Sequence, residues 1–119
     1  MTEIISRKRY DLEDRTFTFA KCVIEYVNKL HKTVSSIEIS KQLIRSAGSV
    51  GANYIEANEA LSKKDFIMRI KISRKEAKES NYWLRLTEAK EDSVIERDAL
   101  VQEATELTKI FGAILEKSK

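Results

Sequence analysis

The sequence predicts an all-α fold, an antiparallel up-down-up-down four-helix bundle. Apolar residues recur every three or four positions along most of the 119 residues, which is the spacing of a helix with one buried face. There is no proline to break such helices and there are only three glycines. The gaps between periodic segments are short, so consecutive helices pack antiparallel. One domain is expected over residues 1–119, the usual size of a single fold. A composition of 42% hydrophobic and 34% charged residues excludes disordered and collagen-like classes.

The first helix is expected at about residues 11–31, with Asp11 as its cap and Leu12, Phe19, Val23, Tyr26, Val27 and Leu30 on one face. Ser35 and Glu38 have capping-box spacing and open a second helix at about 36–60. Ser62 and Asp65 repeat that arrangement at the start of a third, about 63–90. Ser93 and Glu96 open the fourth, about 93–117, which aligns Leu100, Val101, Ala104, Leu107, Phe111 and Leu115.

Two of these helices carry more apolar surface than a bundle core needs. In the second, Ile37, Ile44 and Ile55 share a direction with Gly48, whereas Ile39, Leu43, Val50, Tyr54, Ala57 and Leu61 lie about 120° away on the wheel. Its small central residues, Ser46 to Ala52, let a neighbouring backbone approach closely; the alternative is a loop that breaks the helix there. In the third, Phe66, Ile70, Ala77 and Leu84 form a core seam, while Met68, Ile72, Tyr82, Trp83 and Leu86 cluster on roughly the opposite side. That second stripe predicts a homo-oligomer interface, unless all these residues share one wide core.

Composition and motifs give enzymatic activity no support. The single histidine, His31, cannot supply the paired Glu-x-x-His ligands of a bundle metal site, so neither metal nor cofactor is expected. Cys22 reads as a packed thiol, and no phosphate-binding loop or nucleophile elbow is present. The longest uncharged stretch, Ser46 to Ile55, is far shorter than the roughly 20 residues of a membrane span. With no secretory-leader pattern and no cysteine pair, a cytoplasmic location is expected.

The net charge of +3 hides an internal asymmetry: Lys63–Lys90 holds nine basic and four acidic residues, Glu91–Lys119 four basic and seven acidic. Lys71, Arg74, Lys78 and Arg85 fall within an arc of about 60° on the third helix, with Lys63 and Lys64 near its start. Such a row of cations follows a phosphate backbone, and Tyr82 and Trp83 would add base stacking. The competing reading is a solvated face, with Glu76 and Glu79 neutralising lysines one turn away. Arg45, Ser49, Asn53 and Glu56 form a polar set on the side of the second helix left by its apolar faces. Arg45 and Glu56 are three turns apart, which points each toward another helix or subunit.

The run Gln42 to Ala57, with Ser62-Lys-Lys-Asp-Phe66 and the region of Glu79, resembles the bacterial four-helix bundle family that includes proteins encoded by intervening sequences of large-subunit ribosomal RNA genes. That family is related to the accessory variability protein of diversity-generating retroelements. The pattern Arg-Ser-x-x-Ser-x-x-x-Asn-x-x-Glu-Ala is matched by Arg45, Ser46, Ser49, Asn53, Glu56 and Ala57, and the resemblance extends from about Tyr10 to Leu115. Asn58 and Glu59 stand where the family often has glycine. The resemblance implies a homopentameric, barrel-like ring with a role linked to RNA or another nucleic acid, and no established catalysis. A protein-interaction scaffold that docks an acidic or operon-encoded partner is the alternative function.

Overall fold

The computed structural model describes residues 2–119, with side chains described from Leu12 onward. Four helices form an antiparallel bundle: α1 (Thr2–Val27), α2 (Val34–Asn58), α3 (Lys63–Leu86) and α4 (Val94–Lys117), the last preceded by a 3-10 turn at Glu91–Ser93. The bundle measures 46 × 25 × 19 Å. Among the described residues, no helix is long and apolar enough to cross a membrane.

The core follows the periodic positions. Phe19, Val23 and Tyr26 of α1 meet Leu43, Val50 and Tyr54 of α2, Ile70, Ala77 and Leu84 of α3, and Leu100, Ala104, Leu107 and Phe111 of α4. Each buried leucine or phenylalanine contributes about 2 kcal/mol by leaving water. The Tyr54 and Phe111 rings pack 5.8 Å apart. The small-residue run of α2 stays helical, so the expected close approach holds in part and the loop alternative does not. A Cβ at Gly51 would lie 2.8 Å from Thr16 Oγ1, which makes Gly51 the contact point of α1 and α2. Gly48, in contrast, faces open space.

Helix starts and ends depart from the sequence expectation where capping is decided by several competing groups. α1 begins at Thr2, so Asp11 lies inside the helix rather than at its cap, and its side chain is outside the described residues. α1 also ends at Val27, four residues before His31. α2 is capped by Thr33, not Ser35: Thr33 Oγ1 accepts the Ser36 N–H at 3.1 Å, and Ser36 Oγ accepts the Thr33 N–H at 3.0 Å. Ser36 also donates to the His31 carbonyl, so this pair satisfies more backbone groups than Ser35 and Glu38 would, and Glu38 pairs with Lys41 instead. Ser62 caps α3 as expected, accepting from Asp65 N at 3.1 Å.

α2 stops at Asn58, which leaves Leu61 in the following loop and fully exposed rather than on an apolar face. α3 ends at Leu86, short of Lys90, because Thr87 turns away in extended conformation and its hydroxyl is buried between the Leu84 carbonyl and Tyr26. Ser93 stands at the start of α4 but makes no capping hydrogen bond; the 3-10 turn delivers the chain into the helix.

Candidate nucleic-acid interface

α3 presents two unlike flanks, and the difference begins with what α2 and α4 offer it. Toward α2 the contact is polar. Ser46 and Ser80, both buried, share a hydrogen bond of 2.9 Å, and Ser73 donates to the Val50 carbonyl at 2.9 Å. Arg69 donates to Asn53 Oδ1 at 3.0 Å, while Asn53 Nδ2 donates to Ser49 Oγ and to its carbonyl. Small hydroxyls and a side-chain amide thus replace large apolar groups and let α2 and α3 approach closely.

Arg45 closes this seam. Its guanidinium donates to Glu76 at 3.4 Å and to Glu79, and the Trp83 indole N–H donates to the same Glu79 carboxylate at 3.1 Å. The field of Glu76, followed by that of Glu79, holds the Arg45 guanidinium charged beyond its ordinary range. Glu76 is buried, so losing Arg45 would strand a carboxylate away from water. The polar set of α2 therefore divides: Arg45 joins α2 to Glu79 of α3, Ser49 and Asn53 link to Arg69, and Glu56 is exposed with no partner among the described residues.

The carboxylates Glu76 and Glu79 do not neutralise lysines on their own helix, as the solvated-face reading required. Both point to α2. On the opposite flank, Lys71, Arg74, Lys75 and Lys78 surround an open depression of about 350 Å³ whose apolar edge is Leu115 of α4. These four cations are exposed and make no ion pair among the described residues. The Arg74 guanidinium lies over α4, its Nε 3.7 Å from where a Cβ of Gly112 would sit. A larger residue at 112 would crowd it away.

The six cations expected from sequence are distributed unevenly. Lys71, Arg74 and Lys78 share this depression; Lys63 and Lys64 line a second one with Ile67, Met68 and Lys71 at the start of α3. Arg85 stands apart, its Nε donating to Asn81 Oδ1 at 2.8 Å, and Asn81 in turn bonds Thr105 of α4. Lys75 was missed because it falls just beyond the arc of the other cations, although it is one turn from Lys71. Gly112 and Leu115 carried no sequence signal, since only the α3/α4 packing brings them to the cations.

The aromatic residues do not extend the basic row as stacking platforms. Trp83 is half-buried against the core and tethered to Glu79; Tyr82 is exposed and meets Trp83 edge to face, with centroids 5.0 Å apart. In the expected interface stripe, Met68, Tyr82 and Leu86 are exposed, whereas Ile72 and Trp83 are half-buried. The shared-core reading therefore holds for Ile72 and Trp83 but not for Met68, Tyr82 and Leu86. A second exposed apolar group comprises Phe17 and Ile24 on α1, with Ile37, Ile44 and Ile55 on α2. Its signal was the second direction on the α2 wheel.

Among the described residues no three His, Cys, Asp or Glu side chains are grouped to hold a metal ion. Cys22 is half-buried against the core.

Comparison with known proteins gives two findings. The family described as "23S rRNA-intervening sequence protein" matches residues 8–113. A crystal structure of a protein of unknown function from the S23 ribosomal protein family of Bacteroides thetaiotaomicron is similar over 92% of this chain and 98% of that one, at 30% identity and a TM-score of 0.78. No curated protein matches.

Proposed function

The chain belongs to the 23S rRNA-intervening sequence protein family, and from that premise we propose that it is a non-catalytic, self-associating bundle that binds RNA or another nucleic acid through the exposed flank of α3. The observation that supports this reading is the division of charge on α3. Glu76 and Glu79 are committed to Arg45, so the Lys71, Arg74, Lys75 and Lys78 group keeps its charge for an outside anion. Four cations on one depression suit the phosphates of a nucleic-acid strand, each contact releasing counterions. The family description, which ties its members to ribosomal RNA genes, favours RNA among polyanions. Assembly as a homopentamer, which the family resemblance implies, would repeat the flank five times and add avidity.

The test is the native mass of protein from a gentle lysate, with and without nuclease, together with its absorbance ratio at nucleic-acid and protein wavelengths. The expected result is an assembly of about five subunits that carries nuclease-sensitive material. An assembly free of nucleic acid that retains an acidic partner protein would replace this reading with the scaffold one. A monomer without nucleic acid would remove both halves of the proposal.

A further inference from the structure

The basic flank of α3 does not end at the depression beside Leu115. A second open depression, of about 550 Å³, lies at the start of the helix and is lined by Lys63, Lys64, Asp65, Ile67, Met68 and Lys71. Lys71 lines both, so the two join into one track. From Lys64 to Lys78 this track runs about 21 Å along α3, at 1.5 Å per residue.

The two halves of the track differ in chemistry. The half beside Leu115 is walled by four cations and has no carboxylate among its lining residues. The half at the helix start has an apolar floor: Ile67 is half-buried and Met68 is 48% exposed, with Lys64 and Lys71 one turn to either side of Met68. Asp65 adds a carboxylate to its rim. The Asp65 backbone N–H is bound by Ser62, while the side chain is exposed and makes no ion pair among the described residues.

A phosphate backbone alone is a poor match for this second half. A phosphate seated over Ile67 and Met68 would exchange water for apolar surface and meet the like charge of Asp65. A nucleic-acid base is a good match. Its ring can lie on Ile67 and on the Met68 thioether, and its Watson–Crick edge carries N–H groups that a carboxylate accepts. Only an unpaired base offers both, because in a duplex the ring faces are stacked and the edges are paired. We propose that α3 takes single-stranded rather than duplex RNA, with an unpaired base on Ile67 and Met68 beside Asp65, and neighbouring phosphates on Lys71, Arg74, Lys75 and Lys78. This rests on the nucleic-acid reading above and names its substrate class. It also assigns the exposed Met68 to the strand rather than to the subunit contact that helix periodicity suggests.

The test compares one RNA of about 12 nucleotides with its blunt duplex at the same salt concentration, by fluorescence anisotropy. A duplex has the denser charge, so a surface that reads charge alone would hold the duplex more tightly. The expected result is instead a single strand bound about tenfold more tightly than the duplex. Met68→Ser should remove most of that preference by weakening the single strand, while duplex affinity, native mass and far-ultraviolet circular dichroism stay as in the wild type. Lys75→Gln removes a phosphate contact and no base contact, and should weaken both ligands by a similar factor. Asp65→Asn keeps the backbone cap and should narrow the preference in favour of the duplex; an unchanged preference there would overturn the part given to Asp65. Equal or tighter duplex binding by the wild type overturns the single-strand assignment and leaves nucleic-acid binding in place. If Met68→Ser keeps the preference, weakens both ligands alike or changes the native mass, Met68 is not the base seat and the assignment fails. Binding of neither RNA overturns the nucleic-acid reading and this inference together.

Discussion

The two flanks of α3 are built from the same residue types and end in opposite states. Toward α2, arginine and carboxylate neutralise each other across the seam, with Arg45 held by Glu76 and Glu79 and Trp83 joined to the same carboxylate. Toward α4, the neighbours of Lys71, Arg74, Lys75 and Lys78 are Leu115 and the bare backbone at Gly112, and among the described residues no carboxylate pairs with them. The lesson is that charge balance on a helix is settled by its partners. An acidic residue one turn from a lysine neutralises it only when no better cation faces it across a seam.

The comparison breaks most visibly if the α4-side cations are removed together. Replacing Lys71, Arg74, Lys75 and Lys78 by Gln should weaken nucleic-acid binding about a hundredfold or more and flatten the logarithmic salt dependence by about three, measured by titration at several salt concentrations. Unchanged affinity would show that the flank is only a solvated surface. Helical content should stay the same, since none of the four supports the core.

The α2 flank should respond in stability instead. Arg45→Ala strands the buried Glu76 carboxylate and is expected to cost about 2 kcal/mol, less than a fully buried pair because the Arg45 side chain is half exposed. Adding Glu76→Gln should recover much of that loss in denaturant melts. If Arg45→Ala alters nucleic-acid affinity but not stability, the two flanks are not divided as described.

A smaller effect tests the core beneath both flanks. The Tyr26 hydroxyl bonds Thr87 at 2.6 Å, and burial, the largest cause, raises its ionisation above the ordinary value of 10.0. A raised value in the folded state means that the neutral form is favoured there, so its contribution is complete below pH 10 and is lost as pH rises through the raised value. Tyr26→Phe should cost about 1 kcal/mol at neutral pH and remove that alkaline loss, as seen in melts across the alkaline range. The least effect is expected from Gly112→Leu, which crowds Arg74 and should reduce nucleic-acid affinity about threefold without reducing stability by more than about 1 kcal/mol.

Much of the fold was legible in the sequence because helix formation and core selection have a local period. The buried apolar residues of α1, α3 and α4 follow from spacing alone, down to Val23, Ala77 and Leu107, whereas the buried Thr16, Ser73, Glu76 and Ser80 do not. Helix starts were harder to read. Thr33 and Ser35 both fit a cap, and only the reach of Ser36 to the Thr33 N–H and the His31 carbonyl decided between them. At the candidate site, the cations of α3 were visible as a row, but Lys75 and the α4 floor under Arg74 were not. Their place depends on how two helices are turned toward each other.

The sequence by itself determined four amphipathic helices, the residues of their common core, the excess of apolar surface on α2 and α3, and the concentration of positive charge on α3. Each of these is a property of one helix, written in a repeat of three or four residues. Only the tertiary structure decided which carboxylates neutralise which cations, which glycine is a contact and which is open, and which apolar rows remain uncovered. Those outcomes depend on the register and rotation of one helix against another, set by contacts such as Thr16 on Gly51 and Ser46 with Ser80 that lie 34 or 35 positions apart in the chain.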